Sequence, residues 1–216
     1  MRFRDRTEAG RRLAAALSGY RDRKLVVLAL PRGGVPVAAE VAKALGAPLD
    51  IMLVRKIGAP GQPEVALGAV ADGHRPIIVR NEAVISATGA TPLEFNEICA
   101  RETAEIERRH QRYLGNRAPT DLRGRTAIVV DDGIATGATM RAALQAVRSR
   151  EPAGLVLAVP TAPPSTLDSL HGEADAVICL TSPDWFGSVG EFYDDFRQVS
   201  DQEVVDILAA AQPATT

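Results

Sequence analysis

Two adjacent carboxylates, Asp131 and Asp132, close an apolar run and open a loop of small residues in the stretch IVVDDGIATGATM, Ile128 to Met140. A loop of Gly, Ala and Thr lets the main chain itself touch a ligand. Its N–H groups and the positive end of the helix that follows converge on one point, which suits a phosphate dianion. Thr136 and Thr139 add hydroxyl donors. Two acids beside such a point would repel a bare anion. They make sense where the ligand also offers hydroxyls, or a metal ion to share. A ribose 5-phosphate group offers a phosphate and two adjacent hydroxyls.

Two further stretches carry groups of the same kind. In LALPRGGVPVAAEVA, Arg32 supplies a fork of donors for phosphate oxygens, and Gly33 and Gly34 let the backbone approach closely before a helix begins. In LVRKIGAPGQPE, Arg55 and Lys56 end another apolar run and precede a Gly/Pro-rich loop. Plainer readings stand beside these: an acidic strand end with a Thr helix cap, a βα turn with a surface Arg, a solvated basic turn. A Walker A loop is excluded because Ala138, not Lys, precedes Thr139, and neither glycine-rich stretch supplies GxGxxG. His74, His110 and His171 share no metal or triad spacing. Cys99 and Cys179 form no CxxC or disulfide framework and read as buried free thiols.

Positioning such groups at one edge takes a parallel sheet. The nearly continuous apolar runs Lys24–Leu30, Asp50–Val54, Thr126–Val130, Leu155–Val159 and Ala176–Leu180 read as strands buried on both faces. Helices are expected between them at Val35–Leu45, Ala138–Arg150 and Ser165–Leu170, with another near Thr7–Leu17. The reading is one α/β domain with a doubly wound, mainly parallel five-stranded sheet. In such sheets ligands bind beyond the C-terminal strand ends, where Asp131 and Asp132 stand.

The alternation breaks between Ile57 and Arg125. IGAPGQP reads as a loop, EVALGAVAD and PIIVR as two strands, and TPLEFNEICARETAEIERRHQRYL as a helix opened by a capping box, with Thr91, Pro92 and Glu94. Phe95, Ile98, Cys99, Ile106 and Tyr113 form its apolar stripe; Glu97/Arg101 and Glu105/Arg109 form i,i+4 pairs. Glu102 falls on the apolar stripe without explanation. Ser200 and Glu203 mark a second capping box in SDQEVVDIL, and the PATT tail is expected to fray.

The chain has 216 residues, 46% hydrophobic and 24% charged, with a net charge of −2. That balance gives no global reason to expect nucleic acid or an anionic membrane as a partner. No apolar run approaches the roughly 18 residues of a spanning helix, and the N-terminus lacks a signal peptide's apolar centre, so a cytoplasmic protein is expected.

IVVDDGIATGATM resembles the ribose-phosphate motif of the type I phosphoribosyltransferases: an apolar strand, two acids, two spacers and Ala135, then T-G-x-T. The resemblance runs from about Lys24 to Tyr193, with Gly68–Arg125 least matched. It implies that Asp131 and Asp132 bond the ribose hydroxyls of phosphoribosyl diphosphate (PRPP), while Ala135, Thr136, Gly137, Ala138 and Thr139 hold the 5-phosphate. Arg32, Gly33 and Gly34 would hold the diphosphate. Arg55 and Lys56, similar to the R-K-x-G segment of the adenine enzymes, would assist, with the Gly/Pro stretch as a mobile lid. Mg2+ would be held mainly by PRPP, reaching Asp131 and Asp132 through water at most. TSPDWFGSVGEFYDDF resembles the hood of the 6-oxopurine enzymes, where Trp185 or Phe186 would stack on the base. Ala135, however, matches the adenine enzymes, and the Lys that oxopurine enzymes place near AVPTAPPS is missing. The acceptor is therefore a nitrogenous, purine-like base left unspecified. Glu64 is a candidate general base by position alone.

The implied organisation is a single domain over 1–216, with a lid insertion at about 57–125 and a hood at about 181–196 joined by segment 1–20. The implied assembly is a homodimer. A non-catalytic sensor of PRPP or a nucleotide is the alternative. A diphosphokinase relative lacks a visible adenine-nucleotide motif.

Overall fold

The computed structural model describes residues 1–73 and 75–211; His74 and the PATT tail lie outside them. Its centre is a five-stranded parallel sheet in the order β2-β1-β6-β7-β8. The strands are β1 (Leu25–Ala29), β2 (Leu49–Ile51), β6 (Thr126–Val130), β7 (Gly154–Thr161) and β8 (Ala176–Thr181). Each parallel step needs a crossover, and α2 (Gly34–Leu45), α5 (Ala138–Arg148) and α6 (Pro164–Leu170) supply three of them. The remaining helices are α1 (Arg6–Ala16), α3 (Glu82–Thr88), α4 (Pro92–Leu114) and α7 (Asp201–Ala210).

The apolar runs are continuous because the strands face two cores at once. Leu25, Val27 and Ala29 of β1 join Ile128 and Val130 of β6 on the face covered by α1, α2 and α7. Val26 and Leu28 join Ala127 and Val129 on the other face, against Met140, Ala143, Leu144 and Val147 of α5. Successive side chains in a strand point to opposite faces, so burial on both removes any need for a polar alternation. Each large side chain buried this way contributes about 2 kcal/mol. No helix among the described residues is long and apolar enough to cross a membrane.

The segment between β2 and β6 departs from expectation at its start. The second strand ends at Ile51, not Val54, and Val54–Ala59 begins a separate antiparallel sheet in the order β3-β4-β5. Here β3 is Val54–Ala59, β4 is Gln62–Ala71 and β5 is Ile77–Arg80. IGAPGQP is therefore no open loop: Pro60 and Gly61 close a tight hairpin, with Ala59 paired to Gln62. Gly61 has φ 71°, the left-handed value that the position after Pro needs in such a turn. The register shifts at Gly58, a bulge of the kind a strand uses to bend.

α4 carries the expected capping box at Thr91 and Glu94 and buries Phe95, Cys99, Ile106 and Tyr113. Of the two expected ion pairs, Glu105 and Arg109 meet at 2.7 Å, while Arg101 turns to Glu102 instead of Glu97. Glu102 has a further partner: it accepts from Arg55 Nε at 2.8 Å, which explains an acid on the apolar stripe. At the other end of the chain, the N-terminal segment and the hood pair directly, Phe3 N donating to the Phe192 carbonyl and Asp194 N to the Phe3 carbonyl, both at 2.8 Å. Both cysteines are free, Cys99 buried and Cys179 half-buried.

Candidate active site

Asp131 and Asp132 stand at the C-terminal end of β6, and their surroundings differ. Asp131 is half-buried, and its Oδ1 accepts from the Asp132 N–H at 2.8 Å. Among the described residues no cation pairs with it. Burial raises its pKa well above the usual carboxylate value, and the charge of Asp132 adds to that. Asp132 is buried, and its Oδ2 accepts from Arg6 Nε at 2.7 Å. Burial raises its pKa also, opposed by Arg6. Its main-chain carbonyl accepts from the Tyr193 hydroxyl at 2.6 Å.

The loop that follows is open on one side and anchored on the other. The Ile134 N–H donates to the Thr161 carbonyl at 3.0 Å, and the Ala135 carbonyl accepts from Thr166 Oγ1 at 2.6 Å. Gly137, at φ 80°, turns the chain into α5, and no side chain caps that helix. Ala135, Thr136, Ala138 and Thr139 are exposed, two of them hydroxyl-bearing, where the chain enters the helix. The Thr161 side-chain oxygen at the end of β7 is buried without a hydrogen-bond partner.

The glycines after β1 have a reason the sequence did not disclose. A Cβ on Gly33 would lie 2.0 Å from Asp132 Oδ2, and one on Gly34 would lie 2.7 Å from the Val130 carbonyl oxygen. The Asp132 carboxylate itself fills the space that a side chain at residue 33 would need. Arg32 follows a cis peptide bond from Pro31 and points to α7, with Nη1 3.5 Å from Asp201 Oδ1. Asp201 also takes Arg112 at 3.1 Å and the Tyr113 hydroxyl at 2.5 Å.

Arg55 and Lys56 do not extend a core strand, as expected, but lie on β3. There they line a cavity of about 540 Å³ together with Glu64, Arg101, Glu102 and Thr139. The second threonine of the loop and the two basic residues thus share one opening. Glu64 is exposed and paired with Lys56 across the hairpin at 3.1 Å. Trp185 is 76% exposed, and the Phe186 ring stacks on Phe192 at 5.0 Å, so neither aromatic forms a closed wall here. Of the described histidines, His110 lies on α4 and His171 directly follows α6, apart from this site.

A family model described as "Phosphoribosyl transferase domain" matches residues 4–197. The chain belongs to this family. Two Mycobacterium tuberculosis proteins, from strains CDC 1551 and H37Rv, carry names that propose a phosphoribosyl transferase. Each is 46% identical over 209 residues, covering 97% of this chain and 47% of the relative. The chain therefore spans about half the length of the curated relatives it matches. The crystal structure of TT1426 from Thermus thermophilus is 43% identical, with a TM-score of 0.88 over 99% of this chain and 100% of that one. The phosphoribosyl transferase domain thus includes Asp132 and Arg6, two groups 126 residues apart that no local motif links. Tyr193 and Phe196 belong to it as well. Arg6 sits in the charged stretch MRFRDRTEAGRR, whose pattern reads as a solvated helix start.

Proposed function

We propose that this domain transfers a 5-phosphoribosyl group from PRPP to a nitrogenous, purine-like base and releases diphosphate. The observation that carries the reading is the pair of acids at the end of β6 beside an open loop of exposed small residues entering α5. In this reading Asp131 and Asp132 accept hydrogen bonds from the ribose hydroxyls. The amides of Ala135 to Thr139, with the Thr136 and Thr139 hydroxyls, hold the 5-phosphate. Arg32 and Lys56, with the amides of Gly33 and Gly34 and with Arg55, hold the diphosphate.

The anomeric C–O bond breaks with its electron pair leaving on diphosphate, and a ring nitrogen forms the new C–N bond, its proton passing to the released diphosphate. Positive charge builds on the sugar as the bond breaks, and the nearby carboxylates favour it. Water would intercept that cation, so the site has to close; the β3–β4 hairpin, whose Arg55 and Lys56 share a cavity with Thr139, is the cover in this reading. Mg2+ suits the oxygen donors here, since Asp131 has no cationic partner among the described residues. Bound with PRPP, it would neutralise charge on the leaving group, with Asp131 and Asp132 reaching it through water. Trp185 or Phe186 would turn onto the base as the hood closes. A cytoplasmic homodimer is part of the same proposal.

Diphosphate release from PRPP and Mg2+ across a panel of purine and related bases tests the activity. At least one base should give diphosphate and a nucleotide in equal amounts. Silence with every base, alongside tight PRPP binding, would replace the enzyme with a sensor.

A further inference from the structure

The two acids that look alike in the sequence are held in different ways, and the difference comes from the first residue of α1. Arg6 is buried. Its Nε donates to Asp132 Oδ2 at 2.7 Å and its Nη1 donates to the Arg197 carbonyl at 2.7 Å. The guanidinium carbon lies 4.0 Å from the centre of the Phe196 ring. Tyr193 holds the main chain of the same aspartate, and its carboxylate occupies the space that a side chain at Gly33 would need. The Arg6 head group is thus fixed on three sides, and it fixes one oxygen of Asp132.

Stability alone is a poor reason for this arrangement. A buried ion pair is often no better than apolar side chains of the same volume, because both ions must leave water. Geometry is a better one. A carboxylate beside a second carboxylate is pushed to turn away from it. Pinning Oδ2 prevents that turn, and beyond Arg6 the carboxylate meets only Asp131 and its own main chain among the described residues.

We infer that Arg6 is a positioning residue: it holds Asp132 so that its remaining oxygen accepts one sugar hydroxyl, and so sets the preference for ribosyl over deoxyribosyl ligands. The inference rests on the ribose reading of Asp131 and Asp132 proposed above. Arg6 itself touches no substrate in this account. Its planar fork holds Asp132 and the Arg197 carbonyl in one fixed geometry, which a flexible ammonium does not.

The test is competition of ribose 5-phosphate, its 2-deoxy and 3-deoxy analogues, and inorganic phosphate, read for the wild type, Arg6→Gln and Arg6→Lys. A hydrogen bond to a charged acceptor predicts a wild-type preference of about tenfold or more over at least one deoxy analogue. Arg6→Gln should bring that preference to near parity and leave the inorganic phosphate affinity unchanged. Arg6→Lys should fall between. A general loosening of the fold would weaken all four ligands together, so a parallel loss overturns the inference. Retained preference in Arg6→Gln overturns it while leaving the ribose reading intact. Tighter ribosyl binding in that variant would make Arg6 a competitor of the sugar, also against it. A wild type with no preference removes the ribose reading itself. Should Arg6→Gln not fold, Phe196→Leu, which removes the ring against the guanidinium, should lower the preference several-fold, and no change would overturn the inference.

Discussion

Asp132→Ala should lower the thermal midpoint by about 6–12 °C, whereas Asp131→Ala should leave it within a few degrees of the wild type. The first change strands the Arg6 guanidinium, buried and 2.7 Å from the lost carboxylate. Removing one partner of a buried pair costs about 3 kcal/mol or more. In a chain of this size 1 kcal/mol moves the midpoint by about 2–4 °C. Among the described residues Asp131 has no such partner. Its loss removes one hydrogen bond from the Asp132 N–H but also relieves repulsion between neighbouring acids. These opposed effects should leave a net change within about 1 kcal/mol. Melting curves of the two variants at neutral pH decide the matter, and equal shifts would mean that Arg6 does not hold Asp132 in solution.

The second large effect is expected where the antiparallel sheet returns to the core. Asp72 follows β4 and is buried; its Oδ1 accepts from the Leu53 N–H at 2.8 Å, and its own N–H donates to the Leu53 carbonyl at 2.9 Å. Burial pushes its pKa up to about 7, helped by the charge of Asp50 and opposed by the Leu53 N–H and Arg150. The folded protein therefore holds this proton more tightly than the unfolded chain does. Stability from this group is full below about pH 4 and is lost as pH rises towards 7. Asp72→Asn keeps an acceptor for Leu53 but has no charge to bury. It should match the wild type near pH 4 and exceed it by about 2–4 kcal/mol at pH 8. Denaturant midpoints at the two pH values measure the difference. A difference that does not change with pH would contradict the burial account.

The parts of the fold that were readable share one property: their cause is local. Five apolar runs gave five strands, because burial on both faces leaves a continuous signature. The capping boxes at Thr91 and Ser200 were readable because the bonding partners are three residues apart. The hairpin β3–β4 was not readable, since Gly58, Pro60, Gly61 and Pro63 look like a loop unless the bulge and the tight turn are known. Helix α3 escaped notice despite its Asn81 cap and the left-handed Gly89 after it, because it has seven residues and buries none of them.

The site divides in the same way. Asp131, Asp132 and the small-residue loop announce themselves by spacing. The partner of Asp132 lies 126 residues away, in a stretch of alternating charges that resembles any exposed helix start. Glu102 had no reason on its helix until β3 brought Arg55 to it. The need for glycine at position 33 has a similar source, a carboxylate from another strand end.

Titration calorimetry with PRPP and Mg2+ on the wild type and on the double variant Asp131→Asn/Asp132→Asn tests the placement of the sugar most directly. Loss of the charged acceptors for both hydroxyls predicts at least a tenfold weaker Kd, with inorganic phosphate binding unchanged. An unchanged Kd for PRPP would show that the ribose hydroxyls lie elsewhere and would contradict the assignment of the two aspartates.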